Sequence, residues 1–162
     1  MAMFRRTEPC PEPPKRVSDG YTHYRPYVRQ DFKGHCAYCL LGELFGGGME
    51  NFELDHFRPR SRFPGMTGDF YNLYYACHPC NRIKRDQWPS EAQLRRQEFI
   101  VDHCTDEPEA HFVCGEDGKL EGLTPAGQYT IDLLILNRPH LIELRQLLSS
   151  ELNLKFPYRP SN

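Results

Sequence analysis

Two short runs rich in β-forming residues, Phe52 to Phe57 and Phe70 to Ala76, are separated by a stretch holding Pro64, Gly65 and Gly68. Each run predicts a strand, and the glycines and proline predict the break between them. From Asn81 to Pro89 neither glycine nor proline interrupts the chain, which suits a helix. Two strands followed by a helix make a ββα unit. Further on, Ser90 and Gln93 stand at capping-box spacing and predict a short helix reaching about Glu98. Phe112-Val113-Cys114, Asp117-Gly118 and Lys119-Leu120 read as a hairpin with a tight turn. Thr124-Pro125 opens a helix with proline at its first position, and Ile131, Leu134 and Ile135 fall at core spacing along it. Asn137-Arg138-Pro139 restarts a second helix whose Leu141, Leu144 and Leu148 lie on one stripe. With no internal repeat and no long linker, the pattern predicts one compact α+β domain.

Composition narrows the function classes. At 162 residues, 39% hydrophobic and 26% charged, the chain can bury one modest core. Its longest apolar candidate, Leu133 to Leu136, falls far short of the roughly 20 residues of a membrane span. Met1 to Lys15 carries charge and proline but no apolar stretch, so no secretory signal is read there and a cytoplasmic protein is expected. Pro9, Pro11, Pro13 and Pro14 beside Arg5, Arg6, Lys15 and Arg16 predict an extended arm over residues 1–30 that wraps the domain or tracks DNA. The net charge of −2 hides an asymmetry. From His56 to Arg85 six cations face Asp69 alone, whereas from Asp102 to Glu121 seven carboxylates face Lys119 alone. A polyanion is drawn to the first stretch and repelled by the second, although a charge run taken alone is usually just a solvated face.

Seven cysteines, an odd number, without a signal argue against a secreted disulfide scaffold. Four of them form two identical pairs, Cys36-Ala37-Tyr38-Cys39 and Cys77-His78-Pro79-Cys80. Each pair offers two thiolates from one tight turn, and two such turns complete a tetrahedral Zn²⁺ shell that couples metal binding to folding. Nothing around them has the strand-helix pattern of a thiol redox motif. His103, Cys104, His111 and Cys114 fit no common ligand spacing and read as ordinary core or surface groups.

Between and beside the cysteine pairs stand Asp55-His56, Asn72 and Asn81. In that order and frame they resemble the HNH (ββα-metal) endonucleases, over about residues 36 to 85 and under a third of the chain. The three HNH positions fall on His56, Asn72 and Asn81. The third is His in many members and Asn in others; the position of Asp55 is His in some and Asp in others. The resemblance implies a small ββα-metal core over residues 31–90 held by a structural zinc at Cys36, Cys39, Cys77 and Cys80. The arm over 1–30 precedes it, and an α/β extension over 91–162, with helices and a β-hairpin, packs on it.

The chemistry of these side chains agrees with that implication. Phosphodiester hydrolysis needs an activated water in line with the leaving oxygen and positive charge beside the phosphorus. A neutral imidazole suits the base, the role expected of His56. Asp55 and Asn81 offer hard oxygen ligands that suit Mg²⁺ or Mn²⁺. By resemblance, Asn72 ties the intervening loop and holds the His56 backbone. Lys84 and Arg85, three and four residues beyond Asn81, are expected to reach a phosphate, and Arg58, Arg60 and Arg62 to grip the duplex backbone. Glu53 reads as solvent-facing or zinc-side, His78 as a packing residue, and His23 and His35 as ordinary. Taken singly, an Asp-His pair is structural, Asn72 marks a turn and Asn81 a helix cap; their joint occurrence inside the cysteine frame carries the functional reading.

The expected function is therefore a metal-dependent endonuclease cutting double-stranded DNA, serving restriction, phage defence or mobile-element processing. The alternative is a non-catalytic zinc-ribbon module binding nucleic acid or protein. Action alone, as a homodimer, or beside a separately encoded ATPase partner is left open by the chain.

Overall fold

The computed structural model describes residues 20–150, so positions 1–19 of the expected arm, Cys10 and residues 151–162 lie outside the described residues. The described chain falls into two compact units, 20–88 and 89–150. Helices and two separate antiparallel strand pairs give the expected α+β class. No helix among the described residues is long and apolar enough to cross a membrane.

The first unit starts with a 3-10 turn, Gly20–Tyr24, which runs into helix α1, Arg25–Asp31. Pro26 sits in the first turn of α1, where its missing N–H breaks no ladder bond. The helix buries Val28, and Phe32 just beyond it is equally enclosed. A bridge between His35 and Gly42 then closes the first cysteine turn, and the Ala37 amide donates to the Tyr75 carbonyl at 2.7 Å, pinning that turn to the sheet. Arg29 grips Glu43 with two nitrogens, 2.7 and 2.6 Å, and Tyr75 donates to the same carboxylate at 2.7 Å. Burial and the Glu43 charge push the Tyr75 phenol up to about 12, so it remains a donor at any ordinary pH.

Strands β1, Phe52–His56, and β2, Leu73–Cys77, pair antiparallel in a register running from Phe52 opposite Cys77 to His56 opposite Leu73. Every residue of β2 is buried. Phe52 stacks on Tyr75 at 5.1 Å and Phe57 on Tyr74 at 4.7 Å, so aromatic pairs fill the space that a larger domain gives to aliphatic core. The second strand begins later than its β-formers predict. Phe70–Asn72 make a 3-10 turn because the Asp69 side chain accepts the Tyr71 amide and caps it. Helix α2, His78–Lys84, begins earlier than expected, inside the second cysteine pair, since Pro79 is tolerated in a first turn and Cys77 serves as the N-cap.

The second unit opens with α3, Glu91–Arg95, capped reciprocally by Ser90 and Gln93 as the spacing predicts. Strands β3, Phe112–Cys114, and β4, Leu120–Gly122, form the expected hairpin. Its turn uses Gly118 at φ +77°, a conformation other residues reach only with strain. Helix α4, Pro125–Leu134, comes so near the hairpin that a Cβ on Gly127 would sit 2.0 Å from the His111 carbonyl oxygen. Ile131 and Leu134 are buried as predicted, but Ile135 is not. It terminates α4 in the left-handed conformation and is 52% exposed, because the chain must reverse before α5, Pro139–Ser150. Along α5 Leu141 is buried while Leu144 and Leu148 are half-buried. The buried Arg145 turns inward among them and donates to the carbonyls of Leu136 and Gly118 at 2.6 and 3.1 Å. The Asn137 amide pairs with both the N–H and the C=O of Leu120, at 2.8 and 2.9 Å, like a neighbouring strand.

Thr124 caps α4 through the Gly127 amide and also meets His111. Thr124→Ala is expected to lower unfolding free energy by about 1 kcal/mol, measured as a shift of the urea midpoint at constant slope.

Candidate active site

The site is assembled by the two cysteine turns. Cys36 and Cys39 come from the turn after α1, Cys77 from the last position of β2 and Cys80 from the first turn of α2. Their four sulfurs lie within 4.8 Å of one another, all buried and none in a disulfide. The Sγ atoms of Cys39 and Cys77 are 3.7 Å apart. That is too far for an S–S bond and close to the ~3.8 Å edge of a tetrahedron with zinc–sulfur bonds of about 2.3 Å. The donor set therefore fits one structural zinc. No other such group of His, Cys, Asp and Glu occurs among the described residues, so His103, Cys104, His111 and Cys114 form no second site.

At the open end of β1 stands His56. Its Nε2 lies 2.9 Å from the Thr67 carbonyl oxygen. A carbonyl only accepts, so Nε2 carries the proton and Nδ1 keeps a lone pair. Tyr21 packs edge-on against the ring at 4.6 Å. Burial holds the imidazole below its usual pKa and Arg60 adds to that, against the Thr67 bond and the Asp55 charge. The ring is thus neutral at pH 7.

The loop between the strands, residues 57–72, is what brings Thr67 to the imidazole, and Asn72 holds that loop. Its Oδ1 accepts the Arg58 amide at 2.8 Å, while its Nδ2 donates to the carbonyls of Arg58 at 3.0 Å and Met66 at 3.3 Å. The Asn72 backbone carbonyl accepts from Phe57. The amide therefore grips the backbone of Arg58, not that of His56 itself, which the sequence pointed to.

Asp55 is 6% exposed, and its Oδ2 accepts from the Tyr38 hydroxyl while lying 3.0 Å from the Lys84 ammonium. Burial raises the carboxyl above its ordinary range, and Lys84 and Tyr38 oppose that rise. Burial, with the Asp55 charge adding to it, pushes the Tyr38 phenol far up, so it stays protonated and donates. Lys84 corrects the sequence reading. It is 0% exposed and donates to the His56 carbonyl at 2.8 Å, so it is no phosphate ligand. Helical spacing placed it near the face of Asn81, but that face packs against β1.

Asn81 donates through Nδ2 to Glu53 Oε2 at 2.5 Å, which turns its own carbonyl oxygen away from that contact. The other Glu53 oxygen meets His78 Nε2 at 3.1 Å. In the sequence Glu53, two residues before Asp55 on the same strand face, reads as solvent-facing or zinc-side and His78 as a packing residue; the structure joins the two and ties Glu53 to Asn81.

A cleft of about 410 Å³ collects Glu53, Asp55, His56, Asn81, Arg60 and Arg85. Tyr21 and Arg25 also line it, residues that composition had assigned to the arm. Arg58 and Arg62 are exposed and lie outside the lining, Arg58 resting over the Phe63 ring at 6.0 Å.

Residues 36–87 match the family model of the HNH endonucleases. This segment is an HNH endonuclease domain. The chain is also similar to the Septu protein PtuA of Bacillus mycoides (strain KBAB4), with 26% identity over 153 residues. That alignment covers 78% of this chain but 21% of PtuA, so the chain spans about a fifth of that relative's length.

If the four thiols hold one structural zinc, Cys36→Ser should lose the ion and the cooperative thermal transition of the HNH domain together, followed by elemental analysis and calorimetry. Prolonged chelation of the unaltered protein should give the same result.

Proposed function

We propose that the HNH domain hydrolyses phosphodiester bonds of double-stranded DNA with His56 as general base and a divalent ion held by Asp55 and Asn81. The observation that carries this reading is the His56 ring, fixed through Nε2–H on Thr67 with Nδ1 left basic, in one cleft with two hard oxygen donors. Nδ1 takes the proton of the attacking water. The Thr67 carbonyl steadies the imidazolium that results, because the Nε2–H bond strengthens as the ring gains charge. Asp55 offers Oδ1, since Oδ2 is engaged, and Asn81 offers its carbonyl oxygen. Held by these oxygens, Mg²⁺ or Mn²⁺ would supply Lewis-acid polarisation and charge for the leaving 3′-oxygen. Arg60 and Arg85 flank the cleft and engage the phosphates, with Arg58 and Arg62 reaching the duplex further out. The products are 5′-phosphate and 3′-hydroxyl ends.

Restriction, phage defence and mobile-element processing are the settings for such a cutter inside a cell. Its partner is proposed as a second copy, which would supply a second nick, or a separately encoded ATPase, which would move DNA.

Plasmid nicking in Mg²⁺ and in Mn²⁺ tests the proposal. Cleavage should fall by about 10²–10⁴-fold in His56→Ala and comparably in Asp55→Ala, with a smaller loss in Asn81→Ala, one ligand among several. Duplex affinity should persist in His56→Ala; an unaltered protein that binds duplex and never cuts is instead the zinc-ribbon binder. Since the depressed imidazole pKa keeps the base unprotonated, the rate should be flat above neutrality. It should decline only as pH falls through a value under the ordinary 6.5, as seen in a single-turnover pH profile.

A further inference from the structure

The carboxylate of Asp55 is reached from both halves of the thiol cluster. Tyr38 lies between Cys36 and Cys39, is buried, and donates its hydroxyl to Asp55 Oδ2. Lys84 lies four residues beyond Cys80 on α2, one helical turn on and on the same face. Its ammonium stands 3.0 Å from that same Oδ2, 2.8 Å from the His56 carbonyl and 6.0 Å from the centre of the Tyr38 ring. Tyr38 in turn stacks parallel to Tyr74, the residue opposite Asp55 in the sheet register. Each cysteine pair thus sends one donor to a single oxygen, and the second donor also holds the backbone of the base.

We propose that Tyr38 and Lys84 are positioning residues that saturate Asp55 Oδ2 and so present Oδ1 alone to the catalytic ion, making the thiol cluster part of the active site's alignment and not only of its stability. A carboxylate with one oxygen locked by a phenol and an ammonium loses rotation about its terminal torsion and binds through the other oxygen only. The Lys84 bond to the His56 carbonyl keeps the base and the ligand, adjacent on β1, in fixed relation. This inference rests on the reading of Asp55 as a metal ligand given above.

The test uses the full-length, zinc-replete chain and the variant Tyr38→Phe, which removes one oxygen and keeps the packed ring. Mn²⁺ affinity is measured by titration calorimetry beside zinc content and cleavage kinetics. The expected result is unchanged zinc, Mn²⁺ affinity weakened by about 10–100-fold, and a kcat lowered even in saturating Mn²⁺ with KM for DNA unmoved. A residue with a merely structural role would lower the thermal midpoint and leave Mn²⁺ affinity and kcat as they were; that result overturns the proposal. Asp55→Asn, titrated in parallel, separates the two readings. If it binds Mn²⁺ as tightly as the unaltered protein, Asp55 is no ligand and the proposal falls with the assignment. If it binds weakly while Tyr38→Phe binds normally, the ligand stands and the positioning role alone is lost.

Discussion

Four cysteine sulfurs brought together from turns nearly forty positions apart are the constraint on which the first unit depends. The unit has few aliphatic side chains to bury; its interior is stacked aromatics around a two-stranded sheet. A pair of strands that short does not persist alone in water. The cluster closes the long loop from Cys39 to Cys77, and a metal held by all four thiolates contributes its binding free energy to folding. It also fixes direction. Cys77 ends β2 and Cys80 lies within the first turn of α2, so the strand-to-helix angle, and with it the placing of Asn81 beside Glu53, follows from where the sulfurs must meet.

The second constraint is the loop over residues 57–72. An imidazole at a strand end is ordinarily free to rotate and to choose its tautomer. Here one backbone carbonyl settles both, and that carbonyl is in place only because Asn72 ties the two ends of the loop with one amide. The hydrogen bond that fixes the His56 ring is therefore made by backbone, which no residue type in the loop advertises. Thr67 was unremarkable in the sequence for that reason: any residue supplies a carbonyl.

Spacing made the thiol cluster and the ββα order readable, because metal geometry and strand–turn–helix punctuation are written in residue types at fixed intervals. The same holds for the hairpin turn at Gly118 and the caps at Ser90 and Thr124, each a local signal with a local cause. What counting could not reveal was which side of an element faces inward. Lys84 sits in a basic run and at helical spacing from Asn81, yet the helix turns it onto a buried carboxylate. Arg60 and Arg85 come from the same run and do border the cleft, whereas Arg58 and Arg62 do not. Net charge over a stretch sums such residues alike. Tyr21 and Arg25 were hidden for the opposite reason, because the proline-rich composition of the preceding segment drew them into the expected arm. Ile135 shows the limit of periodicity at an element's end: the spacing was helical, but the residue was needed for the reversal.

The charges lining the cleft bear on the chemistry proposed for it. Glu53, Asp55 and Asp86 share it with Arg25, Arg60 and Arg85, so its walls are mixed in sign. A site built only to bind a phosphodiester gains nothing from carboxylates beside the phosphate, where they repel it. Asp55 is in addition buried, which costs free energy unless the charge is matched; Lys84 matches it at Oδ2, and the residue borders the cleft. In the proposed reading, an anionic oxygen maintained at that expense, next to a neutral imidazole and an amide oxygen, would suit a cation from solvent, which would then attract the phosphate that the bare carboxylates turn away. On the same reading the arginines bordering the cleft would supply affinity for the duplex, and the carboxylates would confine productive binding to the loaded site. Binding and hydrolysis would in this way fall to different residues of one small cleft.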